Sequence, residues 1–218
     1  MTAKKSTKRP SPRVARKRER SRQEILEAAQ SILRNGGVEA VTLASVAGEL
    51  GLTKPALYHY FPSKEALVRT LVVSLLDDEI EALTAAINAE KSDDHVLGAM
   101  IRAFYEHYIR HLEAFRAVYC QAQLYDSHAV IIDEQVLREE INPRTRGLFD
   151  LLEERLSRNA TKAERARCRQ IASSAWLAAL GLMTMLGVAD AANDPLVHTD
   201  ESLLESLTRI FDGTIQAG

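Results

Sequence analysis

The stretch of this 218-residue chain that most constrains its fold is TLASVAGELGLTKPALYHYF, residues 42–61, which predicts two short helices joined by a tight turn. Thr42 has a hydroxyl that can cap the first helix by accepting a backbone N–H. Gly51 stands where that helix must end, at a position that favours left-handed backbone. Thr53 is placed to cap a second helix, with Pro55 in its first turn, where a missing N–H costs little. The pattern therefore predicts a helix-turn-helix.

The second helix of this pair has one side suited to DNA. Leu57 and Phe61 are four residues apart and are expected to pack inward. The outward set consists of Lys54, Ala56, Tyr58 and His59. A DNA major groove admits one α-helix, while the preceding helix of the motif braces against the DNA backbone. An ordinary αα-hairpin within a helical domain is the alternative interpretation.

Residues 42–67, TLASVAGELGLTKPALYHYFPSKEAL, resemble the DNA-binding signature of the TetR family of bacterial regulators almost position for position. The resemblance covers roughly residues 22–70, and the rest of the chain matches that family only in length and helical pattern. It implies a homodimer that places two recognition helices in successive major grooves of a palindromic operator.

The expected DNA contacts combine this motif with two helix starts. We expect the first helix to open with the capping box Ser21-x-x-Glu24, with Arg22 at its positive end, where a phosphate would bind. We expect Thr42, Tyr58 and Lys64 to hold phosphates, and Lys54 and Ala56 to face base edges. The full predicted set is Arg22, Thr42, Thr53, Lys54, Ala56, Tyr58, His59 and Lys64.

Charge is distributed unevenly along the chain. The formal net charge is −2, but residues 1–22 hold ten Lys and Arg against one Glu, a net of +9, which leaves −11 for the other 196 residues. A basic end beside a helix-turn-helix indicates contact with a polyanion from one side. A solubilising tail is the alternative.

Composition indicates a soluble protein of the cytoplasm. Two cysteines, Cys120 and Cys168, are too few for a disulfide framework or a zinc site. The basic N-terminus is not followed by the apolar segment of a secretory signal. The longest mostly apolar run, residues 175–189, is expected to be too short to span a bilayer.

Apolar periodicity predicts an all-α fold in three parts. Residues 1–20 are predicted to be a basic tail that is disordered without DNA. Residues 21–66 are predicted to form a three-helix DNA-binding head, and residues 67–218 a helical body for ligand binding and dimerisation.

Two helices near the C-terminus carry apolar stripes suited to a dimer interface. The helix predicted for residues 161–187 has a seam of mostly small residues, and the last helix has a second stripe. Two such helices from each subunit would form a four-helix bundle, as the resemblance also implies. The interface residues are predicted to be Ala175, Ala179, Leu182, Leu186, Leu203, Leu207 and Ile210. Burial inside one chain is the alternative.

Aromatic residues concentrate in the middle helices of the body. Apolar, aromatic surroundings with a few polar groups are typical of pockets for drug-sized molecules. The predicted ligand-binding residues are Phe104, Tyr108, His111, Tyr119, Gln123, Trp176, Leu180 and Met183. The expected ligand is small and largely apolar, and solid core is the alternative for any one of these residues.

Enzyme activity is not expected from this sequence. His107 and His111 have the spacing of a zinc pair, but Tyr108 stands where a zincin needs Glu, and no third ligand is evident. We therefore expect no catalytic residue, metal or cofactor. The favoured function is a ligand-released repressor, and the alternative is an architectural DNA-binding protein controlled by a protein partner.

Overall fold

The computed structural model describes residues 11–120, 134–158 and 161–212, and within these ranges the chain forms helices and no strand. The all-α prediction is therefore confirmed. The helices are α1 (Pro12–Ala40), α2 (Leu43–Glu49), α3 (Lys54–Tyr58), α4 (Lys64–Ala89), α5 (Val96–Tyr108), α6 (Leu112–Phe115), α7 (Glu134–Val136), α8 (Asn142–Leu156), α9 (Lys162–Ala192) and α10 (Asp200–Phe211). A 3₁₀ turn, Asp93–His95, precedes α5, and π-helical turns follow α6 (Arg116–Cys120) and α7 (Leu137–Ile141).

The chain divides into two compact units, residues 1–71 and 72–218. The division falls inside α4, which gives its first two turns to the first unit and the rest to the second. The boundary expected from sequence, between residues 66 and 67, lies in the same helix.

Helix α1 differs from its prediction at its start. It begins at Pro12, with the proline in its first turn, and not at Ser21, so residues 12–20 are helical. Arg, Lys and Glu in this segment are good helix formers, which explains the extension. At the other end Gly37 takes φ 69°, and a short further helical segment runs to Ala40.

The second unit is built around long helices that pack on one another. Helix α5 packs against α9 and α10, and α8 packs against α9. Helix α9 starts with a capping box, in which Thr161 and Glu164 bond to each other's backbone N–H groups, and it ends at Asn193 in left-handed backbone, φ 50°.

The C-terminal end of α4 is held by one arginine. Arg155 donates hydrogen bonds to the carbonyls of Ile87 (2.6 Å) and Glu90 (2.8 Å) and to the carboxylate of Asp93 (2.6 Å). Because the last carbonyls of a helix have no partners within it, this side chain acts as a C-terminal cap.

Helix α9 is longer than the apolar run 175–189. By length and composition its segment Glu164–Ala192 could cross a membrane, and an 18-residue window within it has a mean hydropathy of 1.7. A single such helix is weak evidence for a membrane span, because core helices of soluble proteins pass the same criterion.

Candidate nucleic-acid interface and body cluster

The helix-turn-helix of the first unit is built by local hydrogen bonds. The Thr42 hydroxyl accepts from the backbone N–H of Ser45 (3.0 Å), and the Ser45 hydroxyl accepts from that of Thr42 (2.9 Å). After α2 the chain turns at Gly51, whose φ is 63°. The N–H of Leu52 then reaches the Ala47 carbonyl at 2.8 Å. The predicted capping role of Thr42 and the left-handed turn at Gly51 are confirmed.

One face of α3 is open to solvent. Leu57 and Phe61 are buried, as their spacing predicts, and anchor the helix to the first unit. Among the predicted DNA-contacting residues of this segment, four are exposed: Thr53, Lys54, Tyr58 and His59. Ala56 is half-buried. Tyr58 has 47% of its surface exposed, which is high for a large aromatic residue. This exposed face is one helix wide and carries donors for phosphates and bases.

Thr53 does not cap α3 with its side chain. Its carbonyl accepts from the Ala56 N–H at 2.9 Å, but its hydroxyl makes no capping hydrogen bond. Since Pro55 already removes one donor from the first turn, α3 has fewer N–H groups for a cap to satisfy. The hydroxyl of Thr53 lies on the exposed face instead.

Arg22 does not lie at a helix end. Because α1 starts at Pro12, Arg22 is in the middle of the helix. Its guanidinium lies 5.0 Å from the ring centroid of Phe61 and donates to the hydroxyl of Thr70 at 3.3 Å. Arg22 therefore joins α1 to α4 inside the first unit through a cation–π contact and a hydrogen bond.

Lys64 lies at the start of α4, as predicted, and pairs with Glu39 at 3.3 Å. The Glu39 side chain is 72% exposed and that of Lys64 is 37% exposed, so solvent screens the pair and it contributes little to stability. An approaching phosphate can displace the carboxylate at small cost.

The first turns of α1 add a basic surface that sequence analysis did not place. Residues 11–20 are all exposed, and this helical arm carries Arg13, Arg16, Lys17, Arg18 and Arg20. Arg18 donates to the carbonyl of His59 at 3.3 Å. The arm is thereby connected to the C-terminal end of α3.

In the second unit, aromatic rings from four predicted ligand-binding positions form one cluster with Phe115. Phe104 lies with its ring centroid 5.2 Å from Tyr108 and 5.9 Å from Tyr119, and Phe115 lies 5.4 Å from Tyr119. Trp176 joins through Tyr119, at 5.9 Å. We refer to Phe104, Tyr108, Phe115, Tyr119 and Trp176 as the aromatic cluster.

The other predicted ligand-binding residues have different placements. Met183 is fully buried and Leu180 half-buried. His111 is exposed at the junction of α5 and α6 and is not in the cluster, because α5 ends before it at Tyr108. Gln123 lies outside the described residues. Phe149, which was not predicted, contacts Trp176 with ring centroids 6.2 Å apart.

Glu79 on α4 is the charged centre of this cluster, and sequence analysis missed it. Only 1% of its surface is exposed. Tyr108 donates to its Oε2 at 2.5 Å, and Tyr119 donates to its two carboxylate oxygens at 2.7 Å each. Burial raises the pKa of Glu79 to about 7, and the two phenol hydrogen bonds oppose that rise. The sequence did contain a sign of this position. Glu79 lies four residues after Leu75 and four before Leu83, so it is a carboxylate on the apolar side of α4.

The histidine pair does not form a metal site in the part of the chain that is described. Those residues contain no group of three or more His, Cys, Asp or Glu able to hold a metal ion. His107 is half-buried beside Tyr108, with ring centroids 4.6 Å apart. Burial lowers the pKa of His107, so it is neutral at pH 7.

The predicted dimer seam divides into two groups. Ala175, Ala179 and Leu186 are buried within this chain, where α9 packs on α5 and α8, so burial in one chain is correct for them. The remaining members keep exposed surface: Leu182, Leu203 and Leu207 are half-buried, and Ile210 is exposed.

A second apolar stripe lies on the opposite side of α9. Its residues recur at helical spacing and are exposed: Leu177, Gly181, Met185 and Val188. Leu177 and Val188 are each 58% exposed. We call this stripe, together with Ile210, the apolar face.

The sequence was compared with known families and proteins. The profile described as "Bacterial regulatory proteins, tetR family" matches residues 25–71. The uncharacterised HTH-type transcriptional regulator YfiR of Bacillus subtilis is 34% identical over 86 residues, which are 39% of this chain and 39% of that protein. The match thus spans about two fifths of the relative's length.

Solved structures extend the similarity to the whole fold. A transcriptional regulator of the TetR/AcrR family from Thermobifida fusca superposes with a TM-score of 0.63 at 20% identity, covering 89% of this chain and 98% of that one. The regulator FadR from Bacillus subtilis, in complex with stearoyl-CoA, gives a TM-score of 0.62 at 16% identity, covering 88% and 98%. At these identities the likeness establishes the fold.

Proposed function

Because the chain belongs to the TetR family of bacterial regulatory proteins, we propose that it is a ligand-responsive transcriptional repressor of the cytoplasm. It binds a palindromic operator as a homodimer and is released by a small molecule. The observation that carries this proposal is the open face of α3, where Lys54, Tyr58 and His59 are exposed on a helix anchored by buried Leu57 and Phe61. This face fits a major groove, and the basic helical arm fits the flanking phosphates.

The DNA-binding proposal is tested with an operator found by genome-wide binding-site mapping of the full chain. Lys54→Ala combined with Tyr58→Ala should weaken operator binding at least tenfold, since a base contact contributes about 1–3 kcal/mol. Fluorescence anisotropy of a labelled duplex measures the affinity, with exposed Lys91→Ala as the control cation. Unchanged affinity in the double variant would refute this assignment, and equal affinity for all sequences would support the architectural alternative.

The Lys64→Ala variant tests whether Lys64 contacts a DNA phosphate or a base edge. It should weaken all duplexes alike and reduce the slope of log K against log salt by about one unit. Because Lys64 first has to leave Glu39, Glu39→Gln should strengthen binding slightly. A salt slope unchanged by Lys64→Ala would exclude Lys64 from the phosphate contacts.

The apolar face supports the homodimer. It runs along α9 at helical spacing, Ile210 on α10 is exposed as well, and such exposed apolar surface is typical of a surface that meets a partner. An isologous interface places the same face of two copies together. In the proposed dimer interface, Leu177, Met185 and Val188 take the place of Ala175, Ala179 and Leu186. Leu203, Leu207 and Ile210 remain interface residues, as the sequence predicted.

Val188→Arg and Val197→Arg form a matched pair for the interface. Val188 lies on the apolar face, whereas Val197 is 96% exposed in the segment between α9 and α10. Light scattering should show a monomer for Val188→Arg at micromolar concentration, because burying an unpaired charge is costly. The Val197 variant should stay dimeric. A dimeric Val188→Arg would place the interface elsewhere.

The body is proposed to bind the releasing ligand at the aromatic cluster. Effector and operator then weaken each other's binding by the same factor, typically 5- to 150-fold. Trp176 is the sole tryptophan and lies in the cluster, so its emission reports binding directly. A releasing compound that leaves this emission unchanged, and that binds Trp176→Phe equally well, would place the ligand site elsewhere.

A further inference from the structure

We infer that the aromatic cluster and Glu79 form a site for an organic monocation, such as a quaternary ammonium or a protonated amine with an apolar body. The inference rests on the proposed function, because it assigns a chemical class to the ligand of that regulator.

The first support is a carboxylate whose described partners are neutral. Glu79 is almost fully buried, and it accepts hydrogen bonds from Tyr108 and Tyr119. Burial raises the pKa of both phenols above the ordinary value, so each keeps its proton and neither can balance a negative charge. Transferring a carboxylate into such an environment is unfavourable unless a positive charge accompanies it.

The second support is the set of aromatic rings in the cluster to which Glu79 is hydrogen-bonded. Phe104 contacts Tyr108 and Tyr119 in edge-to-face geometry, and Phe115 contacts Tyr108 at 5.5 Å between centroids. Aromatic faces attract cations electrostatically, and the attraction is stronger where water is excluded. A buried carboxylate held by two phenols of an aromatic cluster therefore favours an organic cation over a neutral or anionic molecule of the same shape.

Two features allow a ligand to reach this centre. Tyr119 and Trp176 are half-buried, so the cluster extends from the protein interior to the surface on their side. The carboxylate has about four lone-pair positions, and the described donors are only two phenol O–H groups, that of Tyr108 and that of Tyr119, which lies at equal distance from both oxygens. Acceptor capacity is left for an N–H of a protonated amine, and a quaternary ammonium needs only the charge and the rings.

An anionic ligand fits the same place poorly. A fatty carboxylate close to Glu79 would bring two like charges together in a poorly solvated site. Such a ligand would have to bind with its own carboxylate far from Glu79, or with one of the two acids protonated.

The test compares two molecules of equal shape, phenyltrimethylammonium and tert-butylbenzene, which differ in charge. Each is titrated into the full-length protein at pH 8, and Trp176 emission is followed. We expect the cation to bind at least tenfold more tightly. Equal affinity, tighter binding of tert-butylbenzene, or no binding of the cation at millimolar concentration would overturn the inference.

Glu79→Gln isolates the contribution of the charge. It keeps the shape of the side chain and should remove the preference for the cation, while Glu106→Gln, an exposed position on α5, should retain it. A preference that survives in folded Glu79→Gln also overturns the inference. If that variant does not fold, as judged by circular dichroism, the wild-type comparison decides by itself.

Operator binding measured on the same preparation keeps the two proposals apart. Specific operator binding without cation preference would refute only the ligand class. Cation preference without specific operator binding would refute the proposed regulator and leave the cation site standing.

Discussion

Replacing Glu79 with Gln should change how the free energy of unfolding depends on pH. The pKa of Glu79 is about 7 in the folded protein and 4.5 for an unperturbed Glu. A raised acid pKa stabilises the protonated folded state, so this contribution is complete below pH 4.5 and is lost as pH rises towards 7. Gln does not titrate, so wild type should lose stability relative to Glu79→Gln over this range.

The size of the effect follows from the two pKa values. Between pH 5 and pH 8 the wild type should lose about 2–3 kcal/mol relative to the variant, since each pKa unit corresponds to about 1.4 kcal/mol. Nearly complete burial of Glu79 means that solvent screening does not reduce this figure much. The other titratable groups near the cluster, Tyr108, Tyr119, His107 and Asp78, are present in both proteins.

Urea unfolding followed by circular dichroism at pH 5, 6, 7 and 8 measures the difference. Protein concentration is held constant, because the stability of a dimer depends on it. Tyr119→Phe is a second variant, since removing one hydrogen bond to the carboxylate should move the transition to higher pH. A difference between wild type and Glu79→Gln that is constant with pH, or that favours wild type as pH rises, would show that the buried carboxylate is already compensated.

Three further expectations concern other parts of the chain. Arg155→Ala should lower the free energy of unfolding by about 2–4 kcal/mol, and Arg155→Lys should not restore it, because an ammonium has all its donors on one nitrogen whereas Arg155 reaches its three acceptors from three different nitrogens; unfolding in urea checks both. Gly51→Ala should destabilise by about 1–2 kcal/mol because its φ is 63°, whereas Gly48→Ala, inside α2 with open space around it, should stabilise by up to about 1 kcal/mol; equal effects of the two in thermal unfolding would contradict this. Burial raises the thiol pKa of both cysteines, so accessibility decides between them: a thiol reagent should modify half-buried Cys120 before buried Cys168 in the folded protein, as mass spectrometry can show.

The helix-turn-helix was predictable because its signals are local. The capping hydroxyl of Thr42 lies three residues from its partner, and the left-handed residue Gly51 follows its helix directly. Interactions of this kind depend on neighbouring residues and can be recognised without tertiary structure.

The features that sequence analysis missed depend on residues far apart in the chain. Glu79 meets Tyr108 and Tyr119 across 29 and 40 residues, and no local pattern records which tyrosine faces which helix. The start of α1 was misplaced because Ser21-x-x-Glu24 satisfies a capping pattern inside a helix that the preceding charged residues also favour.

The choice between the two apolar stripes of α9 is a third case that the sequence could not decide. Helix α9 is apolar on two sides, so periodicity alone gives two equivalent stripes. Packing against α5 and α8 buries the stripe with Ala175 and Ala179, and only the position of those neighbours distinguishes it from the stripe with Leu177.

The helical arm of α1 should affect the calorimetry of DNA association. Ordering one residue of a flexible tail costs about 1–2 kcal/mol in conformational entropy, and a tail that folds on DNA makes the heat-capacity change of binding more negative. Residues 12–20 are already helical, and Arg18 connects them to His59. Association should therefore proceed without a folding step in this segment, and titrations at several temperatures should give nearly the same heat-capacity change for a chain that begins at Ser11 and for one that begins at Ser21.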